Sequence, residues 1–202
     1  MQKRRAVLVL ISVFLLGVSS IGCVPTLSTP ARHFTTADLL IGANLLPKGW
    51  GVNGSASVEL DSGGLSFRNN LGGSEGDFRN ASTSADASHE VVSFRNAQDA
   101  SQAYQDHVHT SDTSGQYGET WTPMMGFTYQ SPIAQQFRVM CVTIRNSPNI
   151  ALGCVIEAQY DEFVSSVVYS TLNHEQALAD LEMLAKAVDT QFALYLKGDA
   201  SK

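Results

Sequence analysis

Two cysteines standing in consecutive β-type runs constrain this chain more than any other feature. Phe137, Val139 and Cys141 alternate with Met140, Val142 and Ile144. A run that is apolar on both faces reads as a central strand, covered on at least one side by helix. Its partner is Ala151–Tyr160, which carries Cys154. If the strands at 134–145 and 151–160 form a hairpin about Asn146–Ile150, setting Cys141 opposite Cys154 also sets Val139 against Ile156 and Thr143 against Leu152. That register is apolar on the shared face, so a cross-strand disulfide and the hairpin support each other. Pro148 fits poorly in a two-residue turn, so a wider loop is expected. A bridge closing so short a loop contributes at most roughly 3 kcal/mol in the chain-entropy model. The competing reading is two buried free cysteines, the expectation for a cytosolic chain. The pair is not C-x-x-C and has no His close in sequence, so a redox role has no support.

The first 22 residues decide between those compartments. Lys3-Arg4-Arg5 is a basic start, followed by an apolar run from Ala6 to Gly22 that ends in small residues. A run this short is an export signal rather than a comfortable membrane span, which needs about 20 apolar residues. At its end stands Ser20-Ile21-Gly22-Cys23. This resembles the lipobox of bacterial lipoproteins, where a small residue precedes a Cys that is diacylated and becomes the new N-terminus. Gly22 and Cys23 match; Ser20 departs from the Leu usual in that family. The resemblance implies lipidation of Cys23 and attachment to the cell membrane or envelope on its extracytoplasmic face. It covers the leader alone. Two other readings stay open. Ser20-x-Gly22 also suits an ordinary secretory peptidase, which would release a soluble protein, and the run could remain as an uncleaved anchor. The cysteine count favours lipidation: with Cys141 and Cys154 paired, the third cysteine of the chain needs a separate use. Two or three acyl chains hold a protein firmly where one does not, since each buried CH₂ is worth roughly 0.8 kcal/mol.

The resulting domain plan is a signal peptide at 1–22, a lipidated Cys and tether at 23–33, and one extracytoplasmic domain at 34–202. Val24–Arg32, with Pro25 and Pro30, reads as the tether. Thr36 is placed to cap a short helix through Leu45, and Pro47-Lys48-Gly49 turns the chain into Trp50. Ser55–Leu60 and Leu65–Arg68 read as a weak hairpin about Asp61-Ser62-Gly63-Gly64. Residues 69–89 are rich in Gly, Ser, Asn and Asp and read as a surface loop, with one strand around Phe78. Glu90–Arg95 is a strand, and Asn96 stands where a helix N-cap belongs, before Ala97, Ala100, Ala103, Tyr104 and Val108. A polar loop at Thr110–Glu119 comes next. Phe163–Tyr169 is a third strand beside the cysteine hairpin. The chain closes in a long helix, with Ala177, Leu178, Leu181, Leu184, Ala185, Val188, Phe192 and Leu196 on one stripe. Runs of strands with helices inserted indicate an α+β fold: an antiparallel sheet of about five to seven strands with helices packed on it. Leu46-Pro47-Lys48-Gly49-Trp50 before a strand resembles the opening of PsbP-like lipoproteins, which implies an α/β/α sandwich as a fold alternative.

No reactive constellation stands out. Of the 13 Lys and Arg, three lie in the leader, leaving 10 against 19 Asp and Glu. So acidic a body, without a Lys/Arg cluster, is a poor match for a phosphate backbone, which argues against nucleic acid as a partner. Gly72-Gly73-Ser74-Glu75-Gly76 matches G-x-S-x-G, but the nucleophile elbow needs a strand-to-helix turn there, and the residues after Gly76 make a poor helix. His107-Val108-His109 with Asp106 and Asp112 is the one metal-like cluster, and its spacing does not put two ligands on one helix face. It reads as a polar helix end, and Asp161-Glu162 as a turn between strands. Tyr117 and Trp121, beside a polar loop, are the candidate binding surface. The reading is a non-enzymatic, lipid-anchored domain without metal or cofactor, binding a protein partner or small ligand outside the membrane. An extracytoplasmic hydrolase using Ser74 and a secreted protein without lipid are the alternatives.

Overall fold

The computed structural model describes residues 31–54, 58–60, 66–113, 120–146 and 149–199. Its elements in chain order are a 3-10 turn (Ala37–Leu39), β1 (Trp50–Val52), β2 (Val58–Leu60), β3 (Gly72–Asn80), β4 (Ala85–Ser93), α1 (Ala97–Thr113), β5 (Thr122–Pro123), β6 (Gln136–Asn146), β7 (Asn149–Tyr160), β8 (Phe163–Thr171) and α2 (His174–Asp199). The fold is α+β, as the run of strands implied. The strands form one antiparallel sheet in the order β1-β3-β4-β8-β7-β6-β5, with β2 also paired to β3.

The cysteine register holds residue for residue. Cys141 faces Cys154, Val139 faces Ile156, and Thr143 faces Leu152. The bridge is formed, across a Cα separation of 4.0 Å, near the narrow spacing of a non-hydrogen-bonded antiparallel pair. The wider loop does not form. Pairing continues to Asn146 opposite Asn149, leaving two residues between the strands. The extra ladder pairs at Ile144–Ala151 and Arg145–Ile150 outweigh the proline's preference for a longer turn. Nor is β6 central. It borders the two-residue β5, and the middle of the sheet is β8, buried from Phe163 through Val167.

Alternation along the strands builds two cores. Val91, Cys154, Ile156, Val167 and Tyr169 face α2, whose Ala177, Leu181, Leu184, Val188 and Phe192 are buried against them. Val92, Phe94 and Val164 face the other way and pack with Phe67 and with Ala100 and Tyr104 of α1. Helices therefore cover both faces, and α1 covers only part of its own. The start of α1 follows from sequence: Asn96 Oδ1 accepts the Asp99 amide at 2.9 Å, the N-cap bond.

Three expectations fail between residues 36 and 89. Thr36 caps no α-helix, and its hydroxyl goes to Ser74 instead, at 2.8 Å. Ser66 to Arg68 is bend and turn rather than strand, and β2 pairs with β3. Phe67 is drawn into the core under α1, so the hairpin expected with Leu65–Arg68 is replaced. The Gly- and Ser-rich stretch read as a loop forms β3 and β4, two nine-residue strands paired along their whole length. Gly73, Ser74 and Gly76 are buried there. Ser74 bonds Thr36 beside the 3-10 turn, while Gly73 faces Val92 on the other side of the sheet, partners that composition alone does not reveal.

Candidate functional site

Ser74 is not on an elbow. It lies inside β3, fully buried, with its hydroxyl bonded to Thr36. Across β4 and β8 the same face carries His89 and Ser165, both buried. The Ile41 amide donates to His89 Nδ1 at 3.1 Å. That bond fixes Nδ1 as the acceptor, so in the neutral ring Nε2 carries the hydrogen and donates to Ser165 Oγ at 2.9 Å. A histidine that donates to a serine cannot take its proton, so the pair is structural. Burial holds the His89 imidazole down to about 3. Between pH 6.5 and 3 the unfolded chain binds a proton that the folded chain refuses, so stability falls as pH drops through that window. We expect wild type to lose about 2 kcal/mol between pH 6.5 and 5 that a His89→Gln variant retains, at roughly 1.4 kcal/mol per unit. Urea titrations at the two pH values measure it, and identical pH slopes in both proteins would refute it.

On the opposite face one transverse row crosses five strands. Glu75 pairs with Glu90, Glu90 with Ser166, Ser166 with Glu157, and Glu157 with Arg138. Glu157 is 2% exposed and is held by Arg138 from β6 and by His107 Nε2 from α1, at 2.9 Å. Burial pushes its carboxyl up, but the His107 hydrogen bond and the Arg138 charge outweigh that and hold it below the usual range. Glu90 accepts the Ser66 amide at 2.9 Å and its hydroxyl at 2.7 Å. Burial still raises it, with Glu75 adding to the effect. His107 packs on Phe67, with ring centroids 4.4 Å apart and planes tilted by 40°. The His107–His109 stretch is polar, as expected, but does not end the helix: α1 runs on to Thr113, His107 docks onto the sheet, and His109 is exposed. Among the described residues no group of three His, Cys, Asp or Glu could hold a metal ion.

A third constellation joins the start of the described chain to the β7–β8 turn. Arg32 grips Glu162 with two bonds of 2.6 and 2.7 Å and reaches Asp161 at 2.6 Å. Glu162 is 1% exposed. Asp161 and Glu162 do form the turn that was expected, but no local pattern hints that a tether arginine closes on it. A lone arginine in a charge-poor segment was the available signal.

Of the remaining site candidates, Cys141 and Cys154 are brought together, while Cys23 and Tyr117 lie outside the described residues. Trp121 is half-buried just before β5, close in sequence to Met124, whose sulfur sits 3.5 Å from Cys141 Sγ. No helix among the described residues is long and apolar enough to cross a membrane.

No family model matches the chain, and no curated protein matches it. Among solved structures it is similar to the extracellular domain of PknH from Mycobacterium tuberculosis. The match has 10% identity and a TM-score of 0.46, and covers 81% of this chain and 97% of that one.

Proposed function

We propose that this chain is a lipid-anchored lipoprotein whose folded body stands on the extracytoplasmic face of the cell membrane and binds a protein partner or small ligand there. The observation that carries the reading is the Cys141–Cys154 bridge, which uses two of the three cysteines and leaves Cys23, at the end of the leader, for acylation. Disulfides persist in oxidising compartments, which is where the leader directs the chain. The hydrolase alternative gains nothing from the geometry, because Ser74 and His89 are locked into the core by other partners.

Cys23→Ser is expected to move the protein from the membrane fraction to the soluble one, and to remove an acyl increment from its intact mass. A variant as membrane-bound as wild type rules out acylation as the anchor. Native mass spectrometry of the purified protein then separates a carried small ligand from a protein partner.

A further inference from the structure

We propose that the Arg32 clamp sets which end of the domain faces the lipid bilayer: the end with the β7–β8 turn lies against the membrane, and the end with the β3–β4 turn points away. This rests on acylation at Cys23.

The clamp is a firm attachment. Arg32 is only 16% exposed, and Glu162 has no solvent to replace it. Two residues on, Phe34 packs on Phe163 at 5.8 Å and on Tyr195 at 5.4 Å, so two elements hold that side chain. Beyond that, Leu39, Leu40 and Ile41 are in the main core. The chain is therefore fixed to the body from Arg32 on.

Topology places that point at one extremity. β4 ends beside the turn, since the Phe94 amide donates to Glu162 O at 2.9 Å. α1 begins there, with Gln159 Nε2 donating to Ala97 O at 2.9 Å and to Asp161 O at 3.0 Å. The last turns of α2 arrive there too, as the Phe34–Tyr195 contact shows. The β3–β4 turn after Asn80 and the start of α2 lie at the other extremity. A nine-residue strand such as β8 separates the two by about 30 Å, and flanking turns bring the body to about 35–40 Å.

The tether cannot reverse this arrangement. Nine steps from Cys23 to Arg32 reach at most about 30–32 Å, whatever their conformation. Inverting the body would lift Arg32 about 35 Å above the surface, beyond that reach. Charge acts in the same direction. The body is acidic, and anionic headgroups repel acidic surface. Arg32 offsets one of the two carboxylate charges, on Asp161 and Glu162, that would otherwise lead toward the lipid.

The test uses the full acylated chain on vesicles of phosphatidylcholine and phosphatidylglycerol. With Cys23 acylated and the other two cysteines bridged, an added cysteine is the sole free thiol. A dye on Gln98→Cys, in the first turn of α1, is expected to transfer energy to headgroup acceptors at least about threefold better than a dye on Ala81→Cys, because about 30 Å separates the two heights. Inserting about twelve Gly/Ser residues between Cys23 and Arg32 leaves the fold untouched and is expected to erase most of that difference. Arg32→Ala, if it still melts cooperatively, should shrink it in part. Equal transfer at both sites in vesicle-bound, acylated protein overturns the orientation and leaves the anchor standing. A difference that survives both the insertion and Arg32→Ala overturns the tether and clamp as its cause. Protein that lacks the acyl mass and stays off the vesicles overturns the anchoring reading, and the orientation with it.

Discussion

Phe192→Ala is expected to cost about 4 kcal/mol, well inside the range for truncating a buried aromatic ring. Phe192 is fully buried on α2, stacked at 4.0 Å on Tyr160 and edge-on to Phe163 at 6.4 Å. Removing the ring empties a site walled by β7 and β8, strands that are paired on both sides and cannot collapse inward. The same loss loosens a polar knot one turn away. Asp189 accepts hydrogen bonds from Tyr160 at 2.6 Å, from Ser131 at 2.8 Å and from Tyr129, tying the segment before β6 to the helix. Equilibrium urea unfolding should show a lower midpoint with an unchanged slope. Leu194→Ala, at a position 61% exposed, serves as the control and should change stability by less than about 0.5 kcal/mol. If the two variants unfold alike, α2 is not docked through this stripe.

Arg138→Met is expected to cost about 3 kcal/mol near pH 7, because among the described residues it leaves buried Glu157 with His107 as its one remaining ion-pair partner. The pH dependence gives the prediction its edge. In wild type the Glu157 carboxyl is held below its unfolded value, so its contribution is complete above about pH 4.3 and is lost as pH falls through the lowered folded value. Without Arg138, burial dominates, and the carboxyl shifts upward instead. The variant then sheds its buried charge by taking up a proton at mild acidity. The deficit relative to wild type should therefore shrink between about pH 7 and pH 4.5. Paired urea titrations at the two pH values read it directly. A deficit constant across that range would mean that the arginine acts through packing of its stem and not through charge.

How much of this was legible depended on how local the cause was. The cysteine register could be read because a period of two leaves few ways to set Phe137–Ile144 against Ala151–Tyr160, and only one brings the thiols together. The α2 stripe was legible for the same kind of reason, a period of 3.6 sustained over many turns. β3 was not. Its glycines and serines carry the composition of a loop, and one partner that holds the strand in place, Thr36 on Ser74, comes from a distant part of the sequence. The Glu75–Glu90–Ser166–Glu157–Arg138 row was hidden similarly, because no two of its members are neighbours along the chain and each pairing depends on a strand order that has no local signature.

What the amino-acid string settled by itself was periodic: which segments are strands or helices where apolar spacing is strong, and which cysteines pair. What needed three dimensions was every contact with a partner far away in sequence. Arg32 and Glu162 are 130 residues apart, and nothing near either one announces the other. Their bond exists because the sheet carries the β7–β8 turn to the place where Arg32 lies. Local periodicity fixes the elements, while burial of their apolar faces decides which distant side chains meet.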